Sequence, residues 1–386
     1  MFKKGSYIYY ALSNGMFYYS WGTFGAILSV YLAGIGCSAT EVSLVTSAAP
    51  LFAMATQPLC GIIADKVKSP KLVSIGCLLL SAIFGILFAY SHNYLFLFLF
   101  NGFAQGLIYG TVSLTDRLAT ASPYPFGTIR IWGSILYAIA CQVTGIVYDY
   151  ISPIAIYYIF AISIIITVLS LLGTKDVKPK VITNNEKFSM KELLVSLLKN
   201  KPFVMFVIIY ILFQGPTTAN NSYMPLLIQQ LGGTTTMVGT TLLLSTLSEM
   251  PVVLFTDKIM KHLSYKVLMM IACFLSIIRF VWYSTCPDPT MIMYVFFFQG
   301  TTSIVFILVT VRIVMEIVDE RFVNSAYGIA NMLAKGVSAL CFQMYSGFIV
   351  DSIGGNSSYT IIYLTYAVSI IFALLIAYRF KMKKTN

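Results

Sequence analysis

Five ionisable residues, Asp116, Arg130, Glu249, Arg279 and Lys335, lie inside long apolar stretches of the chain. A charge at the centre of a hydrocarbon layer costs about 2.5–3.5 kcal/mol on insertion scales, so each one needs a partner, a cavity or a purpose. Glu249, Arg279 and Lys335 fall near the middle of their stretches, whereas Asp116 and Arg130 lie towards the ends of two consecutive ones. The chemistry open to them is limited. A desolvated carboxylate at Glu249 can take up and release a proton near neutral pH, or it can serve as a permanent counter-ion to Arg279 or Lys335. Arg130 can present a bidentate donor to a carboxylate, a hydroxyl pair or a base, or it can pair with Asp116 and tie two segments together. Two mid-stretch cations against one acid leave a single positive charge over, which favours an anionic or electron-rich ligand group unless asparagines or a bound anion compensate.

Polar and aromatic residues gather in two further places. One stretch carries Tyr18 and Trp21 beside Asn14 and Gly15, and another carries Asn220 and Asn221 after Gln214-Gly215-Pro216. Interrupted helices are tolerated at membrane depth where they line a cavity, and rings with polar tips suit a sugar, a nucleobase or an aromatic acid. Rings near segment ends also serve as interfacial belts, so both readings stay open for Tyr18 and Trp21.

The elements that hold these residues follow from composition. Hydrophobic residues make up 58% of the 386 and charged ones only 10%. Apolar blocks of about 20 residues are long enough to cross a ~30 Å hydrocarbon core, and in lipid the backbone must satisfy itself, so the blocks read as helices. Twelve are expected, at 7–32, 42–63, 71–90, 94–116, 127–148, 153–173, 203–229, 236–256, 266–285, 291–314, 324–349 and 358–378. The opening Met1-Phe2-Lys3-Lys4 and its apolar block are too long for a secretory signal. The expected fold is an all-α integral membrane protein of twelve transmembrane helices in two six-helix pseudo-symmetric halves, 1–173 and 202–386, joined by a polar linker, 174–201.

Charge placement supports that count. Of the 25 Lys and Arg residues, all but Arg130, Arg279 and Lys335 fall at the N-terminus, in or beside the connections after even-numbered spans, or in the tail. The positive-inside rule then puts both termini and the linker in the cytoplasm of a multi-pass protein of the cell (inner) membrane. The net charge of +11 is thereby explained by the lipid bilayer and argues against nucleic acid. Seven scattered cysteines and two histidines show no metal-ligand spacing, so no metal or cofactor is expected. The halves also echo each other: Gly61-Ile62-Ile63-Ala64-Asp65-Lys66 follows span 2 and Leu254-Phe255-Thr256-Asp257-Lys258 follows span 8, each after a proline, Pro58 or Pro251. Asp65 and Asp257 are candidates for conformational gating through basic residues or helix N-termini of the opposite half.

Six plus six spans, a basic linker and repeated Asp-Lys motifs resemble the major facilitator superfamily over the whole chain. Leu114-Thr115-Asp116-Arg117 with Phe126-Gly127-Thr128-Ile129-Arg130-Ile131-Trp132-Gly133, and Ser248-Glu249-Met250-Pro251, resemble the branch of lactose permease, the nucleoside:proton symporters and the phenylpropionate permease. The resemblance implies substrate binding at Arg130 and relates Glu249, Arg279 and Lys335 to its span 8, 9 and 11 charges. Where lactose permease has a histidine and a glutamate in span 10, Gln299 and Thr302 stand here, so a lactose-type coupling site is not implied. The expected function is proton-coupled uptake of a small polar organic solute by a monomer through alternating access. An exporter or uniporter of the same fold is the alternative, and a membrane enzyme or non-transporting sensor would need a catalytic cluster that the sequence lacks.

Overall fold

Every regular element among the described residues is helical, and the reason is visible at the helix starts. In a computed structural model, residues 4–176 and 190–380 are described. Ser38 opens a helix with a capping box, taking the Glu41 amide while the Glu41 carboxylate takes its own, and Ser69, Asn93, Asn200, Ser264 and Asp288 cap others. These polar residues satisfy backbone donors that would otherwise be orphaned at the edge of a membrane.

The helices are α1 (Tyr7–Gly25), α2 (Leu28–Gly34), α3 (Ala39–Val67), α4 (Pro70–Ala89), α5 (Tyr94–Thr120), α6 (Phe126–Tyr150) and α7 (Ala155–Gly173). After these come α8 (Met190–Lys199), α9 (Lys201–Gln230), α10 (Thr235–His262), α11 (Tyr265–Tyr283) and α12 (Pro289–Ile317). A short 3₁₀ turn (Glu320–Phe322) then leads into α13 (Val323–Asn331), a π-helical segment (Met332–Ser338), α14 (Ala339–Ile353) and α15 (Gly355–Arg379).

Among the described residues, ten helices are long and apolar enough to cross a membrane, counting 325–353 as one. The two remaining expected spans are the first and the eighth. The first is broken between α1 and α2 and carries Ser13, Asn14, Ser20 and Thr23, and α10 carries Glu249 among threonines and serines. Two helices run further than hydropathy implies: α3 continues to Val67 and α10 to His262, so both Asp-Lys motifs, and His262, are on helix rather than in turns. Lys68 then takes a left-handed conformation, φ 57°, which ends α3.

The chain gathers into two compact units, Met1–Val181 with Gly232–Thr246, and Ile182–Leu231 with Leu247–Asn386. In the first, α1 packs on α6 and α7, and α4 on α5 and α7. The second repeats the plan: α9 packs on the π segment, α14 and α15, and α11 on α12 and α15. Matching contacts between matching elements are what a duplicated six-helix repeat requires.

The first unit includes the opening turns of α10 because two glycines permit close approach. A side chain at Gly145 would meet the Thr235 carbonyl at 2.6 Å, and one at Gly239 would meet the Cys141 carbonyl at 2.5 Å. Asp149, one turn beyond Gly145, accepts hydrogen bonds from the Thr236 amide (2.6 Å), the Thr236 hydroxyl (2.7 Å) and the Thr235 amide (3.3 Å). A carboxylate at a helix N-terminus meets both free donors and a favourable dipole. From the linker, α8 packs on α9 with Leu193 and Leu197 buried. Lys178, Lys180 and Lys187 lie outside the described residues.

Candidate functional site

In the first unit, α1 carries Asn14, Tyr18 and Trp21 at i, i+4 and i+7, a spacing that places all three on one helical face. Tyr18 and Trp21 stack with ring centroids 5.8 Å apart, and Trp21 meets Tyr109 of α5 edge-on at 4.6 Å. The Arg130 guanidinium, in the opening turns of α6, lies 4.0 Å from the centre of the Tyr18 ring. This cation–π contact orients the arginine while leaving its N–H groups to point elsewhere. Gly133, one turn further, makes room for the cluster. A side chain there would reach within 2.6 Å of Tyr18 Cδ2 and 2.8 Å of both Arg130 Nη1 and Asn14 Oδ1. Three polar or aromatic groups from two helices therefore converge on one glycine.

Their hydrogen-bonding capacity is unspent. Asn14 Oδ1 and Nδ2, Asp116 Oδ1 and Arg130 Nη1 are all buried without a partner. Asp116 and Arg130 are near enough for their charges to be coupled, yet no ion pair joins them. A small cavity beside Asn14 is lined by Tyr10, Ser13, Thr115, Leu118 and Ala119. Buried polar atoms without partners are costly, and a ligand that supplies partners recovers that cost.

In the second unit, α9 and α12 present an amide ladder. Asn220 Nδ2 donates to Gln299 Oε1 at 2.7 Å, and Gln299 Nε2 donates to Asn221 Oδ1 at 2.7 Å. Asn220 and Gln299 are buried and Asn221 is exposed, so the ladder runs from the core to an open surface. An exposed amide midway along a membrane helix needs water or another polar group to keep it solvated. Glu249 lies half-buried on α10, next to Ser248, whose carbonyl accepts from the Thr301 hydroxyl of α12 at 3.3 Å.

Lys335 occupies the π-helical segment. Wide turns of this kind are frequent at functional sites, because they re-aim side chains without breaking the helix. The segment is pinned to α9 on both sides: Tyr210 donates to Asn331 Oδ1 at 2.9 Å, and the Ser338 hydroxyl donates to the Ile211 carbonyl at 2.9 Å. Lys335 itself is half-buried and carries no hydrogen bond or ion pair to any described residue. Arg279 is buried on α11 beside Phe280.

The remaining sequence candidates are placed as follows. Asp65 pairs with Arg117 of its own unit, Oδ1 to Nη1 3.5 Å, in a partly exposed position. The side chain of Asp257 lies outside the described residues. Asn14, Tyr109 and Gly133 join the site although they were not among the candidates. Asn14 could have been found from its i, i+4 spacing to Tyr18; nothing in the sequence points to Tyr109.

The model of the MFS_1 like family matches residues 9–361. The chain belongs to that family. It is a major facilitator transporter, a multi-pass membrane protein that carries small-molecule solutes and is not an enzyme. It is 26% identical over 369 residues to the maltose permease of Geobacillus stearothermophilus, covering 94% of this chain and 93% of that one. It is 22% identical over 356 residues to the "Probable 3-phenylpropionic acid transporter" of Escherichia coli (strain K12), covering 89% and 91%. A crystal structure of a point mutant of the nucleoside transporter NupG shares the fold with a TM-score of 0.85 at 21% identity, over 97% of this chain and 99% of that one.

Proposed function

We propose that this facilitator takes up a small ring-bearing polar solute, a sugar or nucleoside, in symport with protons. The observation that carries the reading is the convergence of Arg130, Asn14 and Tyr18 around Gly133, with their buried hydrogen-bonding atoms unmatched. A hydroxylated ring supplies donors and acceptors in pairs and a face that can stack on Trp21 or Tyr18. A maltose permease among the relatives and a nucleoside transporter among the fold neighbours support the same class. Asp116 balances the charge of Arg130 in the site. Asn220, Asn221, Gln299 and Lys335 form the second unit's contribution, and Asp65 and Asp257 act in gating.

Glu249 is the proton carrier in this reading. Its half-buried place midway along α10 favours a carboxyl that is protonated in one state of the cycle and ionised in the other. The two six-helix halves, divided by the linker 174–201, alternate access to the site in a monomer of the cell membrane with cytoplasmic termini. The test is solute uptake in proteoliposomes under an imposed pH gradient. Glu249→Gln abolishes gradient-driven accumulation and leaves solute counterflow intact; accumulation at the wild-type level rejects the assignment. Sugars, nucleosides and aromatic acids are compared first by thermal shift, since a ligand that binds only the folded state raises its apparent stability.

A uniporter of the same fold is the second reading. It is favoured by the amide ladder itself, because Gln299 and its asparagine partners are neutral and cannot exchange a proton at any working pH.

A further inference from the structure

Away from the solute site, α11 and α15 enclose a second group of unmatched polar atoms. All three guanidinium nitrogens of Arg279 are buried without a hydrogen-bond partner, and so are the hydroxyls of Ser276, Tyr283 and Tyr363. Ser276, Arg279 and Tyr283 follow one another at i, i+3 and i+7 on one face of α11, and Tyr363 faces them from α15. The rings of Tyr283 and Tyr363 meet edge-on with centroids 5.3 Å apart, and Phe280 lies 5.9 Å from Tyr363. The guanidinium carbon of Arg279 is 4.9 Å from the centre of the Phe280 ring, and Arg279 is near enough to Tyr283 and Tyr363 to be coupled to both electrostatically.

The enclosure is complete. Arg279 is 3% exposed, and Ser276, Phe280, Tyr283 and Tyr363 are 0% exposed. No carboxylate among the described residues forms an ion pair with Arg279. A buried and unpaired guanidinium costs several kcal/mol, and the contact with the face of Phe280 offsets only a part of it. Arginine has five donors and no acceptor, while each hydroxyl can donate once and also accept. Neutral hydroxyl acceptors leave the fixed positive charge uncompensated, and a small anion would accept from the whole group and balance that charge.

We propose that Arg279, Tyr283 and Tyr363 bind a single small inorganic anion of the halide class, buried between α11 and α15. A water molecule would satisfy some hydroxyls but would leave the charge uncompensated. A carboxylate on the transported solute would compensate it, but a solute must enter and leave in every cycle, and the surroundings of Arg279 are closed. The bound anion also accounts for the unbalanced positive charge among the mid-span residues without calling for an acidic solute. This assignment is independent of the solute proposed above.

The experiment is thermal unfolding of the purified full-length protein at constant ionic strength, with sodium gluconate replaced stepwise by sodium chloride or bromide. Stability rises saturably with halide in the wild type. The Tyr283→Phe, Tyr363→Phe double variant, which keeps the packing, binds halide about ten- to a hundredfold more weakly, the loss expected for hydrogen bonds to a charged group. Arg279→Gln removes the dependence altogether; if that variant does not fold, the tyrosine pair alone decides. Equal stability in gluconate and halide means that only water fills the site and overturns the proposal. A halide response of wild-type strength in the tyrosine variant assigns the ion to another place and overturns it equally. Solute binding by the tyrosine variant, measured in parallel, stays at the wild-type level; its loss would place Arg279 on the solute path and refute a separate anion site.

Discussion

Asn14, Asp116 and Arg130 in the first unit keep buried polar atoms unbonded, whereas Asn220, Gln299 and Asn221 in the second close a ladder of two short hydrogen bonds. Both sets interrupt apolar helices, and both incur the cost of taking polar groups out of water. They meet it differently. The ladder joins its three amides to one another before any ligand arrives, leaving the buried Asn220 Oδ1 without a partner and Asn221 at its exposed end. The Arg130 cluster is held in place by ring contacts and by the space at Gly133, and its hydrogen bonds remain to be made. On the proposed reading, binding free energy is concentrated on the first unit, and pre-organisation on the second.

Substitutions that separate affinity from stability can break this contrast. The largest effect is expected for Arg130→Ala. Loss of hydrogen bonds to a charged donor weakens solute binding by about ten- to a hundredfold, while the melting temperature hardly moves, because those bonds are absent without the solute. A marked drop in melting temperature with affinity retained would make Arg130 a structural residue and erase the distinction. Gln299→Leu has the opposite signature: it strands the buried amide of Asn220 and costs about 1–3 kcal/mol of stability, read as a fall of several degrees in thermal unfolding. If solute affinity falls more than stability does, the ladder is a binding element too. The smallest effect belongs to Asp65→Asn. Its pair with Arg117 is partly exposed and 3.5 Å long, so stability changes by about 1 kcal/mol or less, and any larger change in transport rate would mark Asp65 as a gate.

Helix number, the two-fold repeat and the polar helices were legible in the sequence, because block length, charge asymmetry and the paired Asp-Lys motifs are one-dimensional signals. Depth was legible for Glu249 and Lys335, which are in mid-helix, whereas Arg279 lies four residues from the end of α11. What hydropathy does not encode is direction around the helix axis. A counter-ion role for Glu249 beside Arg279 or Lys335 was one of two open readings, and Arg279 is enclosed by the tyrosines of α11 and α15. Pairing with Asp116 was one of two roles open to Arg130, and an aromatic face takes the guanidinium instead. The break between α1 and α2 and the opening turns of α10 held at Gly145 depend on close backbone contacts, which single glycines permit but do not announce.

The π-helical segment around Lys335 bears on how this chain should be aligned with its relatives. Each of its wide turns takes in about one residue more than an α turn. Residues after Ser338 are therefore out of phase with those before Asn331, and a helical wheel drawn through the whole span assigns the wrong face to one end. A relative that lacks one residue between 332 and 338 would keep the same packing on α9 with a straight helix. An ungapped comparison would then shift every position of α14 by one, and the gap belongs inside the segment that carries the lysine.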